Sequence, residues 1–149
     1  MANATVRKVK KAKKAKTRSL VRRGKRKRAI ARVTIREGKG RITVNRHSLK
    51  AFENLFFTAV VSEPFAFVTP EQLAKVDINA IVEGGGVMGQ AQAIRTAIAH
   101  ALVDYFEDDA LRANMLNWDR SLLVEDPRRV EPKKFKGPKA RARFTKSYR

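Results

Sequence analysis

The sequence predicts one domain of mixed α/β class carrying two strongly basic extensions. Three observations predict it. A strand-like stretch, a run of glycines and a long helical stretch follow one another between Val76 and Glu107. Two alternating segments, 29–36 and 41–45, flank the glycine turn Glu37-Gly38-Lys39-Gly40 in the manner of paired strands. Charge is segregated: residues 1–36 hold 16 Lys/Arg and no acid, residues 127–149 hold 10 Lys/Arg and one acid, and residues 37–126 hold 8 basic and 13 acidic residues. A mildly acidic body thus carries cationic arms at both ends, and 149 residues suffice for one modest body.

In chain order, residues 1–23 are low in complexity, mainly Lys, Arg, Ala and Val, with no apolar period to build a core. They fit an RNA-binding arm better than a transit peptide, because Thr5, Thr17 and Ser19 are the only hydroxyls. Gly24-Lys25-Arg26-Lys27-Arg28 leads into a strand in which Ala31, Val33 and Ile35 alternate with Arg32, Thr34 and Arg36. Arg41–Asn45 returns as the second strand of a hairpin. Ser48 is placed to cap a short helix with Leu49, Phe52 and Phe56 toward the core. The span 54–70 is aromatic and β-branched, broken by Pro64 and Pro70, and gives no clear period. Thr69-Pro70-Glu71-Gln72 starts another short helix with proline at its first position.

Val76, Ile78, Ala80 and Val82 then alternate as a half-buried strand does. After the glycines, apolar residues at 87, 91, 94, 98, 101, 102 and 105 mark one face of a helix running to Glu107. Asp108 to Asn117 suggests one more helix, with an acid pair in its first turn and Leu111, Met115 and Leu116 inward. Trp118 is expected over that end of the core. From Pro127 onward the core pattern ends, and Pro127, Pro132, Pro138 and Gly137 argue for an extended path. The domain is therefore expected at 24–126, between a basic arm over 1–23 and an extended basic arm over 127–149.

Gly84, Gly86 and Gly89 satisfy G-x-G-x-x-G, and Gly84 with Gly89 have the glycine spacing of a P-loop. A P-loop needs Lys and then Ser/Thr after its last glycine, and here Gln90 and Ala91 follow. A dinucleotide site needs an acid ending a second strand, whereas Asp104 and Glu107 fall on the helix. The glycines therefore predict a tight strand-to-helix turn. Its helix end leaves N–H groups and a positive dipole end that can hold a phosphate.

No cysteine is present, which excludes disulfides and Cys-ligated zinc. No apolar run approaches 18 residues, so no membrane span is expected. A catalytic set is not found. The two histidines are His47 and His100, and His100 with Asp104 four residues on fits a surface pair. Ser48 beside His47 fits a cap rather than a nucleophile, and no third and fourth metal ligands cluster. The formal net charge of +20 instead points to a polyanion. Phosphate neutralisation releases counterions, so binding is strong and salt-dependent. Phe135, Phe144 and Tyr148 interleave with the C-terminal cations, where they can stack on bases or anchor the arm in a groove.

Three segments carry a family resemblance: Gly24-Lys25-Arg26-Lys27-Arg28-Ala29-Ile30-Ala31-Arg32-Val33; Gly84-Gly85-Gly86 through Gln90, Ala93, Ala97 and Ala99; and Asp126-Pro127-Arg128-Arg129-Val130-Glu131 with Lys133-Lys134 and Lys139-Ala140-Arg141. From about Gly24 to Arg149 the chain resembles the family of the ninth protein of the small ribosomal subunit. His100 departs from the Lys or Arg usual in the signature, Pro132 stands where bacterial members often have Arg, and Phe144–Arg149 resembles the archaeal and eukaryotic ending while the body resembles bacterial members. The resemblance implies an α/β two-layer sandwich: a sheet of about four strands, helices on one side, and a left-handed βαβ crossover, against the usual hand.

It also implies a structural constituent of the small subunit with no enzymatic activity and no cofactor, in a cytoplasmic rather than organellar ribosome. Its partners would be small-subunit rRNA (the 3′ major domain), neighbouring head proteins and peptidyl-site tRNA. The rRNA contacts implied are Lys25, Arg26, Lys27, Arg28, Arg32, Gly85, Gly86, Gln90, Arg95, Arg128, Arg129, Lys133, Lys134, Lys139, Arg141 and Arg143. The tRNA contacts implied are Lys146, Tyr148 and Arg149. A general nucleic-acid chaperone or compaction protein is the alternative; the arms alone would serve it, with no need of the glycine signature.

Overall fold

A computed structural model describes residues 19–145, so the expectations for 1–18 and for Lys146, Tyr148 and Arg149 lie outside the described residues. The fold is mixed α/β, with a five-stranded sheet in the order β1-β2-β5-β3-β4. The strands are β1 (Ser19–Arg26), β2 (Ala29–Glu37), β3 (Ile42–Val44), β4 (His47–Ser48) and β5 (Val76–Glu83). The helices are α1 (Leu55–Ser62), α2 (Pro70–Ala74), α3 (Val87–Phe106) and α4 (Asp109–Trp118). One sheet face is buried: Ala29, Ala31, Val33 and Ile35 of β2 are all fully covered, as are Val76, Ile78 and Ala80 of β5. α3 lies along β1 and β2 on that face, with Ala91, Ile94, Ile98, Ala101 and Leu102 inward, and α1 packs on α3. No helix among the described residues is long and apolar enough to cross a membrane.

The sheet begins earlier than the sequence suggested. Ser19–Arg23, read with the basic arm, pair in register with Arg32–Arg36 of β2. The strand was hidden because its only inward apolar side chain is Leu20; Arg22 and Arg26 also point toward α3, and Gly24 supplies the close approach. A methyl group at Gly24 would overlap Ala93 O and stand 2.7 Å from Ala97 N. β1 and β2 join at a two-residue turn, Lys27-Arg28, with Lys27 at φ 54°.

The expected hairpin between 29–36 and 41–45 is corrected. β5 inserts between β2 and β3, antiparallel to the first and parallel to the second. The Glu37–Gly40 loop therefore straddles the start of β5 instead of closing a tight turn. Gly38 N donates to Lys75 O (2.9 Å), Gly40 N to Val76 O (3.1 Å), and the N–H groups of Lys39 and Arg41 to Asp77 Oδ1 (2.9 and 3.1 Å). Asp77 fills the span that a direct hairpin would not have. α1, α2 and the 3-10 turn Glu63–Phe67 form the crossover from β3 to β5.

Four local expectations also change. Phe56 is 77% exposed and Phe57 takes the core position, because the helix starts at Leu55 under an Asn54 cap (Phe57 N to Asn54 Oδ1, 3.1 Å). Ser48 precedes a 3-10 turn, Leu49–Ala51, without a side-chain cap bond. Leu116 is exposed while Leu111 and Met115 are buried. Trp118 is 71% exposed, set edge-on to Phe67 with its indole N–H toward Glu63. Thr69 does start α2, its N–H and hydroxyl both meeting Gln72 Oε1 (3.3 and 3.0 Å). Asp108 caps α4 through Ala110 N and Leu111 N (2.9 and 3.3 Å).

Candidate nucleic-acid interface

β5 delivers the chain to Gly84-Gly85-Gly86, and α3 starts at once. Gly84 and Gly85 hold φ of +72° and +67°, a region that side chains rarely adopt. Both also press on the β1–β2 turn: a methyl group at Gly84 would stand 2.8 Å from Arg28 O, and one at Gly85 2.9 Å from Ala29 N. The glycines thus bring the backbone of Lys27–Ala29 against the first turn of α3. Gly86 is different. It is the N-cap at φ −105°, and open space surrounds the place a methyl group would take. It has no side chain to cap the helix, so α3 presents N–H groups and its positive dipole end to the surface. Gln90 holds the turn from behind, its side-chain amide donating to Gly84 O at 3.1 Å.

A groove of about 900 Å³ lies over this junction. Arg26, Lys27 and Arg28 form one wall, Gly85, Gly86 and the first turn of α3 the floor, and Arg129, Val130 and Pro132 the other wall. Val87, Met88 and Val130 expose apolar surface along it. The two cationic side chains of the hairpin turn, Lys27 and Arg28, an uncapped helix end and the base of a basic arm converge there. Such a site suits a phosphate backbone: the N–H groups and cations meet oxygens, and the apolar rim meets sugar faces.

The arm is anchored at its root. Asp126 accepts from Arg26 (3.1 Å) and from Arg128 (2.6 Å). Arg128's side-chain bond, its backbone N–H and the charges of both arginines hold the Asp126 carboxyl down at about 2, against an ordinary 3.8. The same bond raises Arg128 further. Arg26 is largely buried, its Nε on Gln92 Oε1 at 2.8 Å, and its Nη1 is buried with no partner among the described residues.

Beyond the root the arm doubles back where an extended path was expected. Glu131 binds Lys134 and Arg141, both at 3.0 Å, and these partners lower its carboxyl. Arg143 reaches Phe135 O at 2.9 Å. Gly137 makes the loop possible, because a methyl group there would overlap Ala142 O. A carboxylate amid many cations draws the chain into a loop that backbone propensity alone does not specify.

The predicted site residues therefore sort by place. Arg26, Lys27, Arg28, Gly85, Gly86 and Arg129 meet at the groove, and Lys25 and Arg128 sit beside it at the arm root. Lys133, Lys139 and Arg141 line a dent in the folded arm, with Lys134 and Arg143 on the same loop. Arg32 lies on the open sheet face. Gln90 and Arg95 face inward. Arg95 donates to Glu63 Oε2 (2.7 Å), Asp119 Oδ2 (2.6 Å) and the Ser121 hydroxyl, and only 13% of its side chain is exposed. Asp104 pairs with Arg22 of β1, not with His100, because β1 runs beside α3 at that point. Arg23, not among the predicted contacts, lies on the same open face across from Arg32, a place visible only once residues 19–26 are taken as a strand.

Comparison with known proteins fits this geometry. Two relatives, each called small ribosomal subunit protein uS9, align over 126 residues: that of Methanothrix thermoacetophila is 46% identical across 85% of this chain and 95% of its own, and that of Halobacterium salinarum is 45% identical across 85% and 96%. A family model described as ribosomal protein S9/S16 matches residues 24–149, and the chain belongs to that family.

Proposed function

We propose that the chain is a structural constituent of the small ribosomal subunit and works by binding rRNA of the 3′ major domain in the head. The observation that carries this reading is the convergence of the basic β1–β2 turn, the uncapped start of α3 and the anchored arm on one groove. The family match supports it, and so does a charge of +20 concentrated at the two ends. The domain over 24–126 acts as a fixed platform, with β1 extending it to Ser19, and the arms order around phosphates during assembly. Most contacts are to backbone phosphates, which position without reading sequence; RNA shape supplies specificity. From membership of the family we also infer a left-handed βαβ crossover, head-protein neighbours and a cytoplasmic ribosome.

The far end of the arm reaches toward peptidyl-site tRNA, with Arg149 approaching its anticodon stem-loop and Lys146 and Tyr148 beside it. The first test is sucrose-gradient sedimentation of cell lysate at low and high salt. The chain is expected with the small subunit at both. Running free, or with DNA, would sink the reading in favour of a general nucleic-acid chaperone. Deleting Tyr148 and Arg149 is expected to weaken peptidyl-site tRNA binding while assembly is preserved; intact tRNA binding would remove the arm's role.

A further inference from the structure

Among the described residues, the helices cover one face of the sheet and leave the other open. With Ala29, Ala31, Val33 and Ile35 buried, Ile30, Arg32, Thr34 and Arg36 point to the open side. The register sets Arg23 directly across from Arg32, Lys25 across from Ile30 and Val21 across from Thr34. On the other flank Ile81 faces Arg32, Asn79 faces Thr34 and Glu83 faces Ile30. Arg23 and Arg32 are both exposed, and among the described residues neither has a carboxylate within ion-pair distance. Directly opposed like charges destabilise a strand pair. Asp77, at the far end of the face, is already engaged by the N–H groups of Lys39 and Arg41 and lies 3.9 Å from Arg36. Among the described residues of these three strands, Glu83 alone is left against Arg23 and Arg32. The face therefore holds an uncompensated cationic centre set among exposed Val21, Ile30 and Ile81.

This centre is continuous with the groove. A shallow cavity of about 290 Å³ is lined by Arg28, Ile30, Arg32, Ile81, Glu83 and Gly84. Arg28 borders both cavities, so the cations run from the β1–β2 turn over the sheet edge to Arg32 and Arg23. The outward side chains of β1, β2 and β5 include no aromatic ring. Unpaired bases would find no aromatic ring to stack on, whereas a base-paired segment meets such a face with its phosphates and riboses.

We propose that the open sheet face is a second RNA surface, on which Arg23 and Arg32 hold the backbone of a base-paired segment whose path continues into the groove. This rests on the rRNA-binding reading above and assigns it a further surface. The test uses the full chain and a transcript of the rRNA 3′ major domain, with affinity measured across a KCl series. The double variant R23Q/R32Q is expected to bind about tenfold more weakly or worse, with the slope of log affinity against log salt shallower by about 1.5, as two lost phosphate contacts require. Its Tm should hold or rise, because the opposed charges are gone, so a binding loss is not a folding loss.

The groove variant K27Q/R129Q is run in parallel. If it weakens binding while R23Q/R32Q leaves affinity and slope unchanged, the sheet-face inference fails alone, and the face is left for a protein or a second copy. If neither variant weakens binding, the groove fails as the RNA contact as well, and if the parent chain does not bind the transcript, the rRNA-binding reading itself fails. The chain has no cysteine, so Thr34→Cys gives a unique tether at the centre of the face for an iron-EDTA hydroxyl-radical probe. Scission of base-paired nucleotides supports the inference; scission confined to unpaired nucleotides, or none, overturns it.

Discussion

Arg26 of β1 and Asp126, the last residue before the C-terminal arm, meet at 3.1 Å. Residues a hundred apart in the chain thus share one ion pair, and Arg128 completes it from the arm side at 2.6 Å. The pair fixes where the arm leaves the domain, and so where Arg129 stands over the glycine floor. Asp126→Asn removes the shared charge and leaves Arg26, which already has a buried nitrogen without a partner, further unsatisfied. The arm root is expected to loosen. Limited proteolysis should cut after Arg128 and Arg129 several-fold faster than in the parent, with far-UV circular dichroism unchanged. Equal cutting rates would mean that the pair does not hold the arm.

Acid should act through the same groups. The Asp126 carboxyl sits at about 2 when folded and near 3.8 otherwise. A lowered folded value means that the stabilisation is fully present above the unfolded value and is lost as pH falls through the folded one. Asp77, held mainly by the Lys39 N–H, and Asp119, held mainly by the Ser121 hydroxyl, shift in the same direction. Urea unfolding should therefore give a flat stability from neutral pH down to about pH 5, then a fall between about pH 4 and pH 2. A loss already complete at pH 5 would assign the acid sensitivity to other groups.

Arg95 joins α3 to the 3-10 turn at Glu63 and to the Asp119 corner after α4. Removing it strands two carboxylates. A fully buried pair broken in this way costs about 3–5 kcal/mol, but Glu63 and Asp119 keep 29% and 37% of their side-chain exposure and water screens them. Arg95→Met is expected to destabilise the domain by about 2 kcal/mol in urea unfolding, while the folded protein keeps its RNA affinity. Arg95→Lys should rescue little, since one ammonium cannot span the fork. If affinity fell tenfold with stability intact, Arg95 would be an RNA contact after all.

The glycines divide by backbone and space. Gly85→Ala meets both a positive φ and the Ala29 N–H, and Gly24→Ala forces β1 off α3; each is expected to cost about 1–3 kcal/mol. Gly86→Ala meets open space at an ordinary φ, and its cost should stay near 0.5 kcal/mol or a little above, that of a poorer N-cap. Thermal unfolding of the three variants checks the order. Because Gly86 lines the groove, its variant separates RNA binding from folding.

Much of this was legible in the sequence because local rules and tertiary packing agree there. β2 and β5 bury the residues their periods marked, α3 does so except at Val87, which is exposed at the groove, and Tyr105, which is half-buried, and the glycine turn stands where strand and helix patterns meet. Legibility failed where a distant partner decides the outcome. The Glu37–Gly40 turn resembles a hairpin until β5 inserts beside it. Ser19–Arg26 carries almost no apolar signal, since its inward positions are one leucine, a glycine and two arginines that find acids or an amide on distant elements. Arg95 looks like a surface cation because Glu63 and Asp119 lie 32 and 24 residues away. At the site, the cations were named correctly as a class, but which ones face outward depends on pairings that no local window contains.

Glu131 gives the sharpest such case, and a prediction against simple intuition. It is the only acid beyond Asp126, and it holds Lys134 and Arg141 in the folded arm. The carboxylate offsets part of their charge and holds one donor of each, so it competes with RNA for them. Glu131→Gln removes that competition and one negative charge. The variant is expected to bind rRNA several-fold more tightly at low salt, with a steeper salt dependence, because about two more phosphates are neutralised without an internal rival. Off-target binding to unrelated RNA should rise in proportion, since the contacts read no sequence. Filter binding over a KCl series, with the 3′ major domain transcript and an unrelated RNA, checks both. Unchanged affinity for both would mean that Glu131 keeps its partners in the complex, and the arm would then dock as the folded loop seen here.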